Sequence, residues 1–140
     1  MPQQLLQFVT QHWTLCAVFV ALLLLVILNE IISQKRSPKM LSTAAVVELM
    51  NQDKVTIIDI RPPETFALGH ITHALHISPD EKKKFEPYKT KPIVLVCMKG
   101  ITANNLAKTL KKAGFTETMV LNGGMTAWQA AGLPTIKGKK

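Results

Sequence analysis

The stretch WTLCAVFVALLLLVIL, beginning at Trp13, is sixteen residues without a charge. Carried on to Ile32 it makes a twenty-residue segment. At about 1.5 Å per residue a helix of that length spans roughly 30 Å, the thickness of a bilayer's hydrocarbon core. Trp13 suits one membrane interface, and Asn29 and Glu30 sit near the other, where a carboxylate can reach water. A cleaved signal peptide needs a basic segment ahead of the apolar run and a small-residue cleavage site after it. Here no Lys or Arg precedes the run, and NEIISQKR holds no A-x-A pattern. The reading is one transmembrane helix over 13–32, after a short N-terminal segment, 1–12.

All 17 Lys and Arg lie at or beyond Lys35, and Lys35, Arg36 and Lys39 follow the apolar run closely. The positive-inside rule then predicts a single-pass membrane protein with its N-terminus outside and the rest in the cytoplasm. That compartment is reducing, so a cysteine there stays a free thiol.

Residues 33–40, SQKRSPKM, read as a polar linker, 41–136 as a soluble domain, and KGKK, 137–140, as a basic tail. Ser42 is placed to cap a helix through TAAVVELM. KVTIIDI and KPIVLVC are short apolar runs that read as buried strands; HALHIS and TMVLNG are weaker ones. Helices are predicted over ETFALG, from SPDE onward with Pro79 at its first position, over TANNLAKTLKKAG, and over GMTAWQAAG. Uniformly apolar strands alternating with helices imply a three-layer α/β/α domain around a central parallel sheet.

The formal net charge of +8 raises nucleic acid as a partner, but the basic residues are scattered and few aromatics interleave with them. The reading is therefore no nucleic acid, with part of the charge favouring the anionic cytosolic leaflet. Two cysteines make no disulfide framework, and no Cys/His set has zinc spacing. Cys16 lies in the apolar run, where it behaves as a small hydrophobe. His70, His73 and His76 fall on a turn entering a strand and read as solvated or locally bonded, not as a metal site.

Cys97 is different. It ends the clearest strand, and in an open parallel sheet sites form beyond the carboxyl ends of strands. Amides and dipole of the following helix can point back at the sulfur and stabilise it as an anion. A buried structural cysteine fits the same position. Gly100 lets a tight loop bend around a central atom. Thr102 offers a hydroxyl to the sulfur or to the helix as a cap, and Lys99 a cation for an anionic substrate.

Three stretches carry a family resemblance. CMKGIT resembles the active-site loop of rhodanese domains, the single-domain sulfurtransferases. IIDIRPPETFALGHITHALHI is similar to that family's first signature, with Asp59, Arg61, Glu64 and the Gly69-His70-Ile71 turn in place. VLNGGMTAWQAAGLP is similar to its C-terminal signature, with Gly123, Gly124, Trp128, Gly132 and Pro134. The resemblance implies a rhodanese-like fold and catalysis without a cofactor. It implies that Cys97 takes a sulfane sulfur as a persulfide and yields it to a thiophilic acceptor. Met98, Lys99, Gly100, Ile101 and Thr102 would cradle the sulfur and bind the donor. Arg61 either lines the mouth or joins Asp59 and Glu64 in an ion cluster that fixes the turn.

The implied partners are a sulfur donor (thiosulfate, polysulfide or a protein persulfide), a thiol or cyanide-like acceptor, the membrane, and a membrane protein near the anchor. Two departures stand out. Thiosulfate-using members with a similar loop commonly carry a second cation where this chain has Met98. A glycine usual before the alanine of the first signature is His73. Phosphatases of the same fold need a longer loop closed by arginine; the sixth residue after Cys97 is Ala103, so the clamp is missing. The alternative reading is a catalytically weak rhodanese domain that serves as a membrane-tethered binding module.

Overall fold

The computed structural model describes residues 1–138, with the side chains of 34–36 set aside; Lys139 and Lys140 of the expected tail lie outside the described residues. The chain divides into two compact units, one over Met1–Arg36 and one from Ser37 on.

The first unit is two helices, α1 (Pro2–Gln11) and α2 (Trp13–Arg36), separated at His12, whose φ of −123° and ψ of 37° are not helical. The helix α1 lies where the sequence predicts only a short segment. Trp13–Ser33 within α2 is long and apolar enough to cross a membrane, with a mean hydropathy of 2.8 and no part buried against other protein. An apolar helix so exposed in water would have no favourable state, since its burial must come from an apolar surrounding.

The second unit contains the strands β1 (Lys39–Leu41), β2 (Thr56–Asp59), β3 (Leu75–His76), β4 (Ile93–Val96) and β5 (Thr118–Leu121). Its helices are α3 (Thr43–Asn51), α4 (Pro63–Leu68), α5 (Lys82–Phe85), α6 (Ile101–Lys112) and α7 (Gly124–Ala130), with a 3-10 turn over Glu86–Tyr88. The strands form one sheet in the order β1-β5-β4-β2-β3, and every pairing is parallel. The strand β4 is central, flanked by β5 and β2.

Alternation along β4 explains the three layers. Ile93 and Leu95 pack on one face with Phe85 of α5 and Leu106, Ala107 and Leu110 of α6. Val94 and Val96 pack on the other with Val46 of α3, Phe66 of α4, and Met125 and Trp128 of α7. All four β4 side chains are fully buried. Truncating any of them to alanine would cost about 1–4 kcal/mol through lost transfer energy and the cavity left behind.

Two local expectations are corrected. β1 begins inside the stretch read as linker: Lys39–Leu41 pairs with Met119–Leu121. Three residues with one buried side chain carry too little periodicity to announce a strand; pairing to β5 defines it. The helix expected from Pro79 begins instead at Lys82. Glu81 does reach back to the Ser78 amide, at 3.1 Å, but the contact closes a turn before the helix. Ser42 caps α3 as expected, accepting from the Ala45 amide at 3.2 Å.

Candidate active site

The site is built at the carboxyl end of the central strand. Cys97 continues the alternation of Ile93 and Leu95, so its side chain lies on the α6 side, 5% exposed. Gly100 then takes φ +92°, which turns the chain sharply into α6. An added Cβ there would meet the Gly123 amide at 3.2 Å and the Leu121 carbonyl at 3.3 Å. Both the conformation and the space therefore demand glycine.

This turn aims donors at the sulfur. The Gly100 N–H donates to Cys97 Sγ at 3.0 Å and the Ala103 N–H at 3.4 Å. Both belong to the start of α6, whose first amides have no carbonyl partner within the helix. Two N–H groups and a helix N-terminus facing one sulfur stabilise negative charge on it. The side chains of Met98, Lys99, Ile101 and Thr102 surround the cysteine and line a cavity of about 320 Å³. Met98, Lys99, Ile101 and Thr102 are all exposed, so the nearly buried sulfur sits at the floor of an open rim. Lys99 makes no ion pair among the described residues and is available to an anion.

The C-terminal signature forms the wall behind this loop. The Met125 N–H donates to the Cys97 carbonyl at 2.8 Å, and the Thr126 N–H and hydroxyl both donate to the Met98 carbonyl at 3.0 Å. Gly124, at φ +56°, lies so close that an added Cβ would collide with the Cys97 carbonyl oxygen. The first amides of α7 thus fix the backbone that carries the cysteine.

The structure therefore brings Cys97, Met98, Lys99, Gly100, Ile101 and Thr102 together. It does not bring Arg61 to them. The Arg61 guanidinium grips the Asp59 carboxylate through Nε at 3.0 Å and Nη2 at 2.7 Å, and its Nη2 also donates to the Gly69 carbonyl at 2.7 Å. Both side chains are almost fully buried, and Arg61 is absent from the cavity lining. Glu64 stands exposed in the first turn of α4, outside this pair. Thr102 makes no cap: Gly100 occupies the capping position ahead of α6, and no side chain makes a capping bond there.

The three histidines are bound locally or held in a turn. His70 Nδ1 lies 2.8 Å from the Phe66 carbonyl, its ring stacked on Phe66 at 3.7 Å. His76 Nε2 lies 2.7 Å from the Arg61 carbonyl. His73 adopts φ +63°, so the turn keeps the left-handed conformation usually given to glycine. Histidine is among the residues that tolerate it.

Sequence reasoning reached Ala103 only in looking for an arginine clamp and did not single out its amide, and it missed Thr126. The signal for Ala103 was general: the first amides of the helix after the loop lack carbonyl partners and face back toward Cys97. The paired glycines before Met125 were the signal for Thr126, because two adjacent glycines mark close backbone approach.

A family model described as the rhodanese-like domain matches residues 42–131. The chain belongs to that family. Among its relatives, the Escherichia coli K12 protein YibN is 30% identical over 142 residues, covering 98% of this chain and 99% of its own. The thiosulfate sulfurtransferase GlpE of Pseudoalteromonas translucida is 35% identical over 95 residues, covering 66% of this chain and 90% of its own. Among solved structures, the thiosulfate sulfurtransferase of Pseudomonas aeruginosa superposes with a TM-score of 0.66 at 23% identity, over 72% of this chain and 20% of its own. The rhodanese-related protein of Thermoplasma volcanium gives 0.64 at 21% identity, over 70% and 97%. These likenesses carry the rhodanese fold; the match to YibN includes the N-terminal helices as well.

Proposed function

We propose that this rhodanese-like protein is a membrane-anchored sulfurtransferase that carries sulfane sulfur on Cys97. The observation that supports this most is the pair of amide donors, from Gly100 and Ala103, directed at a nearly buried Sγ beneath an open rim. A sulfur atom added to Cys97 would extend toward that rim, where the backbone from Met98 to Thr102 surrounds it. The protein relatives named thiosulfate sulfurtransferase support the same class of reaction.

The chemistry is covalent and needs no cofactor. The Cys97 thiolate attacks the outer sulfur of a donor such as thiosulfate. A new S–S bond forms, and the donor's own S–S bond breaks, with sulfite leaving on the bond's electron pair. An acceptor thiolate or cyanide then attacks the terminal sulfur, and Cys97 departs as thiolate. Lys99 and Thr102 face the anionic donor. With Met98 in place of a second cation, a donor that needs less charge in the loop, a polysulfide or protein persulfide, fits the rim better than thiosulfate. Arg61, Asp59 and Glu64 act outside this chemistry, the first two by holding the turn after β2.

Residues 13–32 serve as the membrane anchor, 33–40 lead from it, and 41–136 form the catalytic domain. The excess of basic residues after the span supports a cytoplasmic domain with the N-terminus outside.

Intact-mass analysis after incubation with thiosulfate or polysulfide tests the reading. Wild type should gain the mass of one sulfur atom that a thiol reductant removes, and Cys97→Ser should gain none. Equal gains in both would overturn it. For the anchor, the full chain should resist extraction by salt and alkali, and a C-terminal reporter should be active only if it works in the cytosol.

A further inference from the structure

We infer that one pole of the rhodanese domain, carrying Lys39, Lys89, Lys91, Lys111 and Lys112, docks on anionic lipid headgroups beside the span. The inference rests on the reading of α2 as a membrane anchor.

Because all five strands are parallel, the domain has two unlike ends. Cys97 lies at the carboxyl ends of the strands. The helix α6 leads from that end back to the start of β5, so its last turn, with Lys111 and Lys112, reaches the opposite end. There β1 starts at Lys39. Lys111 Nζ donates to the Ser37 carbonyl at 2.9 Å, tying the end of α6 to the first residue of the domain unit. Gly114 follows α6, and a Cβ on it would meet Lys89 Cε at 3.3 Å, so the Lys89 stem lies against the same turn. The Thr116 N–H donates to the Lys89 carbonyl at 3.1 Å, and the Ile93 N–H to the Glu117 carbonyl at 3.0 Å. Those bonds bring Lys91 to the same end; its Nζ lies 5.8 Å from the Tyr88 ring centroid.

Five cations are thus gathered with Glu117 in the stretch joining α6 to β5, and Asp53 and Lys54, which precede β2 at the same end, offset one another in charge. None of the five is in an ion pair among the described residues. Unneutralised charge of one sign seeks a polyanion. Position selects which one. Ser37 is four residues beyond Ser33, where the apolar span ends. At about 1.5 Å per residue that is roughly 6 Å of helix, inside the Debye length of about 8 Å at physiological salt. Headgroups of an anionic leaflet therefore lie within electrostatic reach of this end whenever α2 spans a bilayer. Lys82, Lys83 and Lys84 form a second basic cluster, but they follow β3 on the Cys97 side, and Lys84 is paired with Glu81 at 2.6 Å. Docking through the first pole leaves the Cys97 rim on the aqueous side, open to soluble donors.

The test uses the full chain in nanodiscs of phosphatidylcholine alone or with phosphatidylglycerol, with lysine acetylation rates read by mass spectrometry. A basic residue held at an anionic surface gains about a fivefold bias. Lys89, Lys111 and Lys112 should therefore be labelled about fivefold more slowly in the anionic discs at low salt. High salt should erase the difference, and Lys82 and Lys83 should not share it. Lys111→Glu with Lys112→Glu should abolish the lipid dependence at Lys89 while sulfur uptake by Cys97 persists. Equal rates in both lipids, or equal slowing at Lys82 and Lys83, would overturn docking while leaving the anchor intact. A chain that elutes apart from the discs would sink the anchor reading, and this proposal with it.

Discussion

Gly124 stands directly against the backbone of Cys97. Its φ of +56° belongs to the left-handed region, and the space where a Cβ would sit is already filled by the Cys97 carbonyl oxygen and, at 2.8 Å, the carbonyl carbon and oxygen of Met98. Gly124→Ala combines a conformational penalty with a backbone collision. Together they should cost about 2–4 kcal/mol of stability. Any folded fraction should have lost sulfur uptake, because the loop must shift to admit the methyl group. Chemical denaturation with the intact-mass assay checks both. A variant as stable and active as wild type would show that α7 does not set the loop.

Asp59 and Arg61 form a buried pair beneath the turn. Asp59→Asn leaves the guanidinium short of its counter-ion and should destabilise the domain by about 3–5 kcal/mol. If Arg61 instead served the mouth, Arg61→Met would raise KM for an anionic donor more than it lowered the unfolding midpoint. The geometry predicts the reverse: a large loss in midpoint, and KM unchanged in the protein that remains folded.

Met98→Arg places a second cation on the rim beside Lys99. A charge-assisted contact to thiosulfate is worth about 1.5–3 kcal/mol, so kcat/KM for thiosulfate should rise roughly ten- to hundredfold at low salt. The gain should shrink as ionic strength increases. Lys99→Ala should act in the opposite direction. Flat thiosulfate activity in Met98→Arg, with polysulfide uptake retained, would mean that the donor is chosen by contacts outside the loop.

Glu81 supplies a small pH-dependent contribution. The Lys84 ammonium at 2.6 Å and then the Ser78 amide hold its carboxyl below the ordinary carboxylate range. A depressed carboxylate stabilises the fold above its unfolded-state pKa, and that stability disappears as pH falls through the lowered folded value. Glu81→Gln should therefore be slightly less stable than wild type at neutral pH and equal to it in acid. The pair is exposed, so the difference should also fade with salt. Denaturation midpoints measured across that pH range check it.

Much of the fold was legible in the residues because its signals are local. Uniform apolar runs such as IVLV marked strands buried on two faces, and Ser42 marked the start of α3 through a bond only three residues long. The long apolar helix within α2 was legible from length and hydropathy alone. β1 and α1 were not. A three-residue edge strand exists only through its pairing with β5, and α1 has no buried residue whose spacing would announce a core face.

The candidate site divides the same way. By itself the sequence determined which atom is the nucleophile candidate and which residues ring it, since Cys97 to Thr102 are contiguous and a glycine sits where the turn must be. Only the tertiary structure decided what points at the sulfur and what stays away from it. Ala103 reaches Cys97 through the winding of α6, and Thr126 reaches Met98 from 28 residues away. Arg61, close to the strand end in sequence, is turned aside because a buried guanidinium must satisfy its donors. Asp59 and the Gly69 carbonyl are the acceptors within its reach. Such choices depend on which partners folding brings together in three dimensions, and no local pattern of residues records them.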